Sequence, residues 1–137
     1  MRRLFLGILC IALAACGSDK TTGPDVDLSF VGNYSLSQMN GTNLPFVMLQ
    51  SGQSSISMTS DRLSIADGGT WSENGTTKTV ENGQTSNDAW SDHGTWLRSG
   101  NNIVLSSSVN TNTEYRGTFS KDRLTLSDGA FTYLFVR

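Results

Sequence analysis

Apolar side chains recur two or four residues apart along short runs of the chain from Leu28 onward. This period places apolar groups on one face of a β-strand and polar groups on the other. Most runs are five to seven residues long; they are Tyr34/Leu36, Ile56/Met58, Leu63/Ile65, Ile103/Leu105, Tyr115/Phe119 and Leu124/Leu126. After residue 16 the one candidate for a helical turn is residues 44–50, where a strand fits equally well.

Dipeptides that favour tight hairpin turns separate these runs. They are Asn40-Gly41, Asp67-Gly68, Asn74-Gly75, Asn82-Gly83, Ser99-Gly100 and Asp128-Gly129. Residues 61–68 (DRLSIADG) recur as residues 122–129 (DRLTLSDG), and five glycines lie two residues before an aromatic residue. The intervals between these glycines are close to multiples of about 12 residues, the length of one strand and one turn. A glycine at such a place allows a strand to coil sharply.

This pattern predicts an all-β domain at residues 28–137, built as a single antiparallel up-and-down meander of about eight to ten strands. Short strands must protect their edges, and closing the sheet into a small barrel does so completely. The alternative is a strongly coiled sandwich, which would show the same alternation.

Composition narrows the class of protein. Of 137 residues, 44 are serine, threonine or asparagine, which suit the outer faces and turns of such a sheet. The formal net charge is −2, which argues against a nucleic-acid partner because such proteins need a broad basic face.

The first 16 residues predict export and lipid attachment. Two arginines precede an apolar run at residues 4–15, and a run of 12 residues is too short for a transmembrane helix. The sequence Leu13-Ala14-Ala15-Cys16 resembles the lipobox of bacterial lipoproteins. This resemblance implies cleavage between Ala15 and Cys16 and acylation of Cys16. An ordinary signal peptide with a cysteine there by chance is the alternative.

The lipobox resemblance predicts a membrane partner and a place in the cell. Acyl chains on Cys16 would anchor the chain, and residues 16–27 would form a flexible tether after the signal peptide at residues 1–15. In some enteric bacteria an aspartate directly after the lipobox cysteine resembles an inner-membrane retention signal. Here that position is Gly17. In a cell with two membranes we therefore expect an envelope lipoprotein on the outer membrane, facing the periplasm.

The domain resembles the lipocalin-like lipoproteins of bacteria. Residues 94–137 carry this resemblance, together with Gly32-Asn33-Tyr34-Ser35-Leu36 and residues 40–45. In lipocalins a glycine and a tryptophan on the first strand pack under an arginine near the last. The matching positions here are Gly32, Tyr34 and Arg137, with tyrosine in place of tryptophan. The resemblance implies a lipocalin-like barrel that these three residues close.

The sequence offers no clear set of catalytic or metal-binding residues. His93 is the single histidine and follows Asp92, but neighbours on a strand point to opposite faces. No strained serine turn is present, and one histidine is too few for zinc. Asp61, Asp67, Asp122 and Asp128 could supply oxygen ligands to calcium, although turns use aspartate in the same way. We expect no enzyme, no metal and no cofactor.

Two functions remain. The first is a binding module for a small apolar ligand; the aromatic candidates to line its site are Tyr34, Trp71, Trp96, Tyr115, Phe119 and Tyr133. Core packing is the alternative for most of them. The second is an envelope protein–protein interaction module with a solid barrel, which would contact its partner through loops such as residues 74–93. Trp90, in a polar stretch, is expected to be exposed there.

Overall fold

A computed structural model describes residues 29–137, and the regular elements within them are β-strands. The ten strands are β1 (Gly32–Met39), β2 (Thr42–Asn43), β3 (Phe46–Ser51), β4 (Ser54–Ile65), β5 (Thr70–Glu81), β6 (Gln84–Ser99), β7 (Asn102–Ser107), β8 (Glu114–Ser120), β9 (Arg123–Ser127) and β10 (Thr132–Val136). The all-β prediction is therefore confirmed. In this part of the chain no helix has the length and apolar character needed to cross a membrane. The predicted signal peptide, Cys16 and the tether lie outside the described residues.

The strands close into a barrel. From β4 to β10 each strand pairs antiparallel with the next, and β10 pairs with β1. β1 also pairs with the second half of β4, with Gly32 opposite Ile65, which completes a ring of eight strands. This ring confirms the closed meander and excludes the coiled sandwich. The two extra strands lie outside the ring: β2 pairs with β1, and β3 pairs with the first half of β4.

Three strands are longer than the sequence runs predicted. β4 and β5 have 12 residues and β6 has 16, so the β5–β6 hairpin includes residues 74–93, which were expected to form a loop. Asn82 and Gly83 make its turn with φ of 50° and 77°, as a tight hairpin requires. The two arms next to this turn, residues 76–81 and 84–89, are mostly polar and carry no apolar period, and every side chain from residue 81 to residue 89 is exposed. Residues 44–50 contribute to β3 and form no helical turn.

Aromatic side chains fill one end of the barrel. Phe30, just before β1, is fully buried. The Trp96 and Phe119 rings meet it edge-on, with centroids 4.9 and 6.0 Å away. The guanidinium of Arg98 lies 4.5 Å from the centre of the same ring. This end is therefore packed by the protein's own side chains.

Two of the five glycines that precede an aromatic residue, Gly94 and Gly117, lie where neighbouring strands come unusually close. A Cβ added to Gly94 would lie 1.9 Å from the Ser106 carbonyl oxygen. A Cβ added to Gly117 would lie 1.8 Å from the Thr125 carbonyl oxygen. No side chain fits at either place, so the neighbouring strands approach to a distance that only glycine permits.

Candidate functional site

A cavity of about 250 Å³ lies towards the opposite end of the barrel from Phe30. Its wall is formed by Met48, Met58, Asp61, Glu73, Thr77, Trp90, Tyr115 and Tyr133. Trp90, in this wall, and Trp96, which packs on Phe30, are six residues apart on β6, or about 20 Å along the strand. The cavity therefore lies well away from the filled end. We call this space the acidic cavity, after its two carboxyl groups.

Carboxyl side chains on three adjacent strands point into the barrel. Asp61, Glu73 and Asp92 are only 3, 5 and 4% exposed. Glu73 lies directly opposite Asp92, and Asp61 lies opposite Gly75, two residues from Glu73 on the same face. Burying a carboxylate is costly unless it is paired or takes up a proton. The three groups therefore need partners, protons or both.

Hydrogen bonds satisfy these carboxyls only in part. Asp92 Oδ1 accepts hydrogen bonds from Ser107 Oγ and from the His93 backbone N–H, both at 2.7 Å. Within residues 29–137, Asp61 Oδ1 and Asp92 Oδ2 are buried and have no hydrogen-bond partner. Of these two residues, Asp61 is part of the cavity wall. The cavity therefore has a strong hydrogen-bond acceptor beside it.

Burial sets the protonation of the Asp61 and Glu73 pair. It raises the pKa of Glu73, and the negative charges of Asp61 and Asp92 raise it further. Burial also raises the pKa of Asp61, and hydrogen bonds from the Glu73 carboxyl and the Arg62 backbone partly offset this. The pKa of Glu73 is raised more than that of Asp61, so at neutral pH the pair holds one proton, mostly on Glu73. The pair thus presents one negative charge to the cavity.

Two phenols form the opposite wall. The Tyr115 and Tyr133 rings meet edge-on with centroids 6.1 Å apart, and burial raises the pKa of both hydroxyls, so they stay neutral. Tyr133 donates a hydrogen bond of 2.7 Å to Asp128 Oδ2. Burial by itself would raise the pKa of Asp128, but this bond and backbone donors at Ala130 and Phe131 lower it. The Asp128 carboxylate therefore accepts hydrogen bonds within its turn and from Tyr133.

Trp90 is half-buried and forms part of the cavity wall, so the prediction that it is exposed was wrong. It lies directly opposite Gly75, where an added Cβ would be 2.3 Å from the indole ring. The missing side chain lets the indole lie against the β5 backbone. The neighbours of Trp90 on β6, Ala89 and Ser91, are exposed and face outward, whereas Trp90 shares the inward face with Asp92.

The structure places two of the six predicted ligand-lining residues in this wall, Tyr115 and Tyr133. Trp96 and Phe119 pack against Phe30 at the filled end. Trp71 is buried between the two regions, and its Nε1 donates to the carbonyl oxygen of Thr95 at 3.0 Å.

The sixth residue, Tyr34, belongs to the contacts that join the first strand to the end of the chain. The guanidinium of Arg137 lies 4.9 Å from the centre of the Tyr34 ring and donates to the Val31 carbonyl oxygen. A Cβ added to Gly32 would approach Arg137 Nη2 to 3.0 Å. Tyr34 donates its hydroxyl hydrogen to the Phe30 carbonyl oxygen. The structure thus brings Gly32, Tyr34 and Arg137 together, away from the acidic cavity.

Sequence reasoning missed Glu73 and interpreted Asp61 as a turn residue, whereas Asp61 lies within β4. The alternation that places Leu63 and Ile65 inside extends to Asp61, and the alternation at Trp71 extends to Glu73. Strand alternation alone could therefore have placed Asp61 and Glu73 on the inner face. His93 and Asp92 do point to opposite faces. In the described part of the chain, no group of three or more His, Cys, Asp or Glu is arranged to hold a metal ion.

The fold and cavity define a closed eight-stranded antiparallel barrel with a small, partly acidic interior site. No protein-family profile matches the chain, and no curated protein matches it. Among solved structures it is similar to the Cpx pathway activator NlpE from Escherichia coli, with 21% identity and a TM-score of 0.39. The match covers 60% of this chain and 39% of that one, so this chain spans less than half of NlpE. Activation of the Cpx pathway is a statement about NlpE alone.

Proposed function

We propose that this chain is a membrane-anchored envelope lipoprotein whose lipocalin-like barrel binds a small ligand with an apolar body. The observation that carries the proposal is the acidic cavity. Its volume of about 250 Å³ is just below the common range of ligand sites, so it suits a small molecule. Met48, Met58 and Trp90 give it a soft apolar wall that can adapt to a hydrocarbon chain.

The anchoring part of the proposal rests on the lipobox resemblance at Leu13-Ala14-Ala15-Cys16. Acyl chains on Cys16 would hold the barrel near the membrane surface, because each buried CH₂ contributes about 0.8 kcal/mol. Placement on the outer membrane, facing the periplasm, is part of the same proposal. The barrel would then sample small molecules of the envelope.

Calorimetry with hexanol tests ligand binding. Thr77 lies in the cavity wall on β5, and Thr77→Phe should fill part of the space. Thr70→Phe is the matched control, since Thr70 is an exposed residue of the same strand. We expect hexanol to bind the wild type and the control and to bind Thr77→Phe much more weakly. Absence of binding to the wild type, or equal binding to all three proteins, would refute the proposal.

A second candidate function is the protein–protein interaction module, and strand β3 favours it. In the described sheet β3 pairs on one side only, with β4. Val47 and Leu49 on this edge strand are 50 and 58% exposed. Exposed edge strands can accept a strand from another protein. A photocrosslinker at position 49 should then capture one envelope protein in cells, whereas one at Asp67 should not; equal capture at both positions counts against this function.

A further inference from the structure

We propose that the acidic cavity selects an organic ammonium ion, a primary amine with a short apolar body whose nitrogen donates to Asp61 Oδ1. This inference rests on the proposed function and names the chemical class of its ligand. Three features of the cavity carry it: an unsatisfied acceptor, a negative charge and a wall of rings.

The acceptor is Asp61 Oδ1. Asp61 is 97% buried, is part of the cavity wall, and its Oδ1 has no hydrogen-bond partner in residues 29–137. Buried polar atoms are nearly always hydrogen-bonded, and leaving one unsatisfied is unfavourable. A purely hydrocarbon ligand would leave this oxygen unsatisfied. Oδ1 has almost no accessible surface, so the Asp61 carboxyl has to turn towards the cavity for a ligand that carries N–H groups to satisfy it.

The charge favours a cation. Asp61 and Glu73 face the cavity, Asp92 lies next to Glu73, and Tyr115 and Tyr133 approach from the other side. All of these groups are negative or neutral, and no Lys, Arg or His is among the residues that line the cavity. An anion would be repelled by this charge. An ammonium group would gain a charge-assisted hydrogen bond, which is stronger than a neutral one.

The rings and thioethers suit the rest of such a ligand. Trp90, Tyr115 and Tyr133 present aromatic surfaces, and an ammonium ion within about 6 Å of an aromatic face is attracted to it. Met48 and Met58 add apolar contact from β3 and β4. A short alkyl chain can therefore lie along the wall while the nitrogen reaches Asp61.

Calorimetric titration of the full chain with hexylammonium and with hexanol tests the proposal. The two probes share the alkyl chain and differ in charge. We expect hexylammonium to bind at least about tenfold more tightly than hexanol, the factor that corresponds to one charge-assisted hydrogen bond. If hexanol binds and hexylammonium binds no better, the ammonium proposal is refuted while the proposed function stands. If neither binds, both are refuted.

Matched variants assign the preference to Asp61. Asp61→Asn keeps the shape of the side chain and removes its charge, so the preference for hexylammonium should fall to less than about threefold. Asp67→Asn removes the same charge from an exposed position in the β4–β5 turn and should keep the preference. The hexanol affinity of each variant shows that its cavity is intact. A preference that survives Asp61→Asn overturns the assignment.

Discussion

Replacing Glu73 by glutamine should change how the stability of the barrel depends on pH. Burial, together with Asp61 and Asp92, raises the pKa of Glu73 above its ordinary value of 4.5. The folded chain therefore keeps a proton that the unfolded chain loses as the pH rises past about 4.5. The stability due to this proton is fully present below the pKa of the unfolded chain and is lost as the pH rises towards the folded pKa.

One additional proton on the folded state gives a slope of about 1.4 kcal/mol per pH unit. Between about pH 5 and pH 7 the wild type should therefore lose about 2–3 kcal/mol of unfolding free energy, a large part of the 5–15 kcal/mol typical of a domain. Burial also raises the pKa of Asp61, so this group adds to the slope in the lower part of that pH range. Glu73→Gln is neutral at every pH, so its slope should be smaller by about one proton.

Urea unfolding followed by tryptophan fluorescence at about pH 5, 6 and 7 measures these slopes. Glu81→Gln is the control, because Glu81 is exposed at the end of the same strand as Glu73. We expect the control to keep the wild-type slope. If the wild type becomes more stable from pH 5 to pH 7, or if both variants keep the wild-type slope, the account of a protonated Glu73 is refuted.

Three further predictions concern the wall, the closure and the anchor. In Gly75→Ala the new Cβ would lie 2.3 Å from the Trp90 ring, so the indole should be displaced. We expect the tryptophan fluorescence emission to shift and hexanol to bind more weakly, and unchanged emission would contradict this packing. Arg137→Ala removes a cation–π contact with Tyr34 and a hydrogen bond to the Val31 carbonyl oxygen. It should lower the free energy of unfolding in urea by about 1–2 kcal/mol, and an unchanged value would argue against these contacts. Cys16→Ser should abolish labelling by a palmitate analogue in cells and release the chain from membranes; a variant that keeps its label disproves the anchor.

The barrel could be predicted from the sequence because its inner face is apolar and alternates. Pairs such as Leu63/Ile65 and Leu124/Leu126 lie inside as expected. Two of the glycines that precede aromatic residues, Gly94 and Gly117, lie where neighbouring strands approach more closely than a side chain would allow. These signals are local, and each can be read from a few neighbouring residues.

The acidic cavity could not be predicted in the same way, because it depends on the register of three long strands. Glu73 meets Asp92 only because β5 pairs with β6 along the whole length of β5, and Asp61 comes near Glu73 only through the register of β4 on β5. The sequence offered two candidate turns here, Asn74-Gly75 and Asn82-Gly83, and each would set a different register. The prediction of a turn at Asn74-Gly75 was wrong, because both residues lie within β5. Trp90 was misjudged for the same reason, since its place opposite Gly75 follows from pairing and not from its polar neighbours.

A crystal structure of the chain grown with hexylammonium tests the central claim, that the acidic cavity binds an organic ammonium ion, most directly. The account predicts the ammonium nitrogen within about 3 Å of Asp61 Oδ1 and the alkyl chain between Trp90 and Tyr133. A cavity without hexylammonium at saturating concentration, or hexylammonium bound only on the outer surface of the barrel, would contradict it.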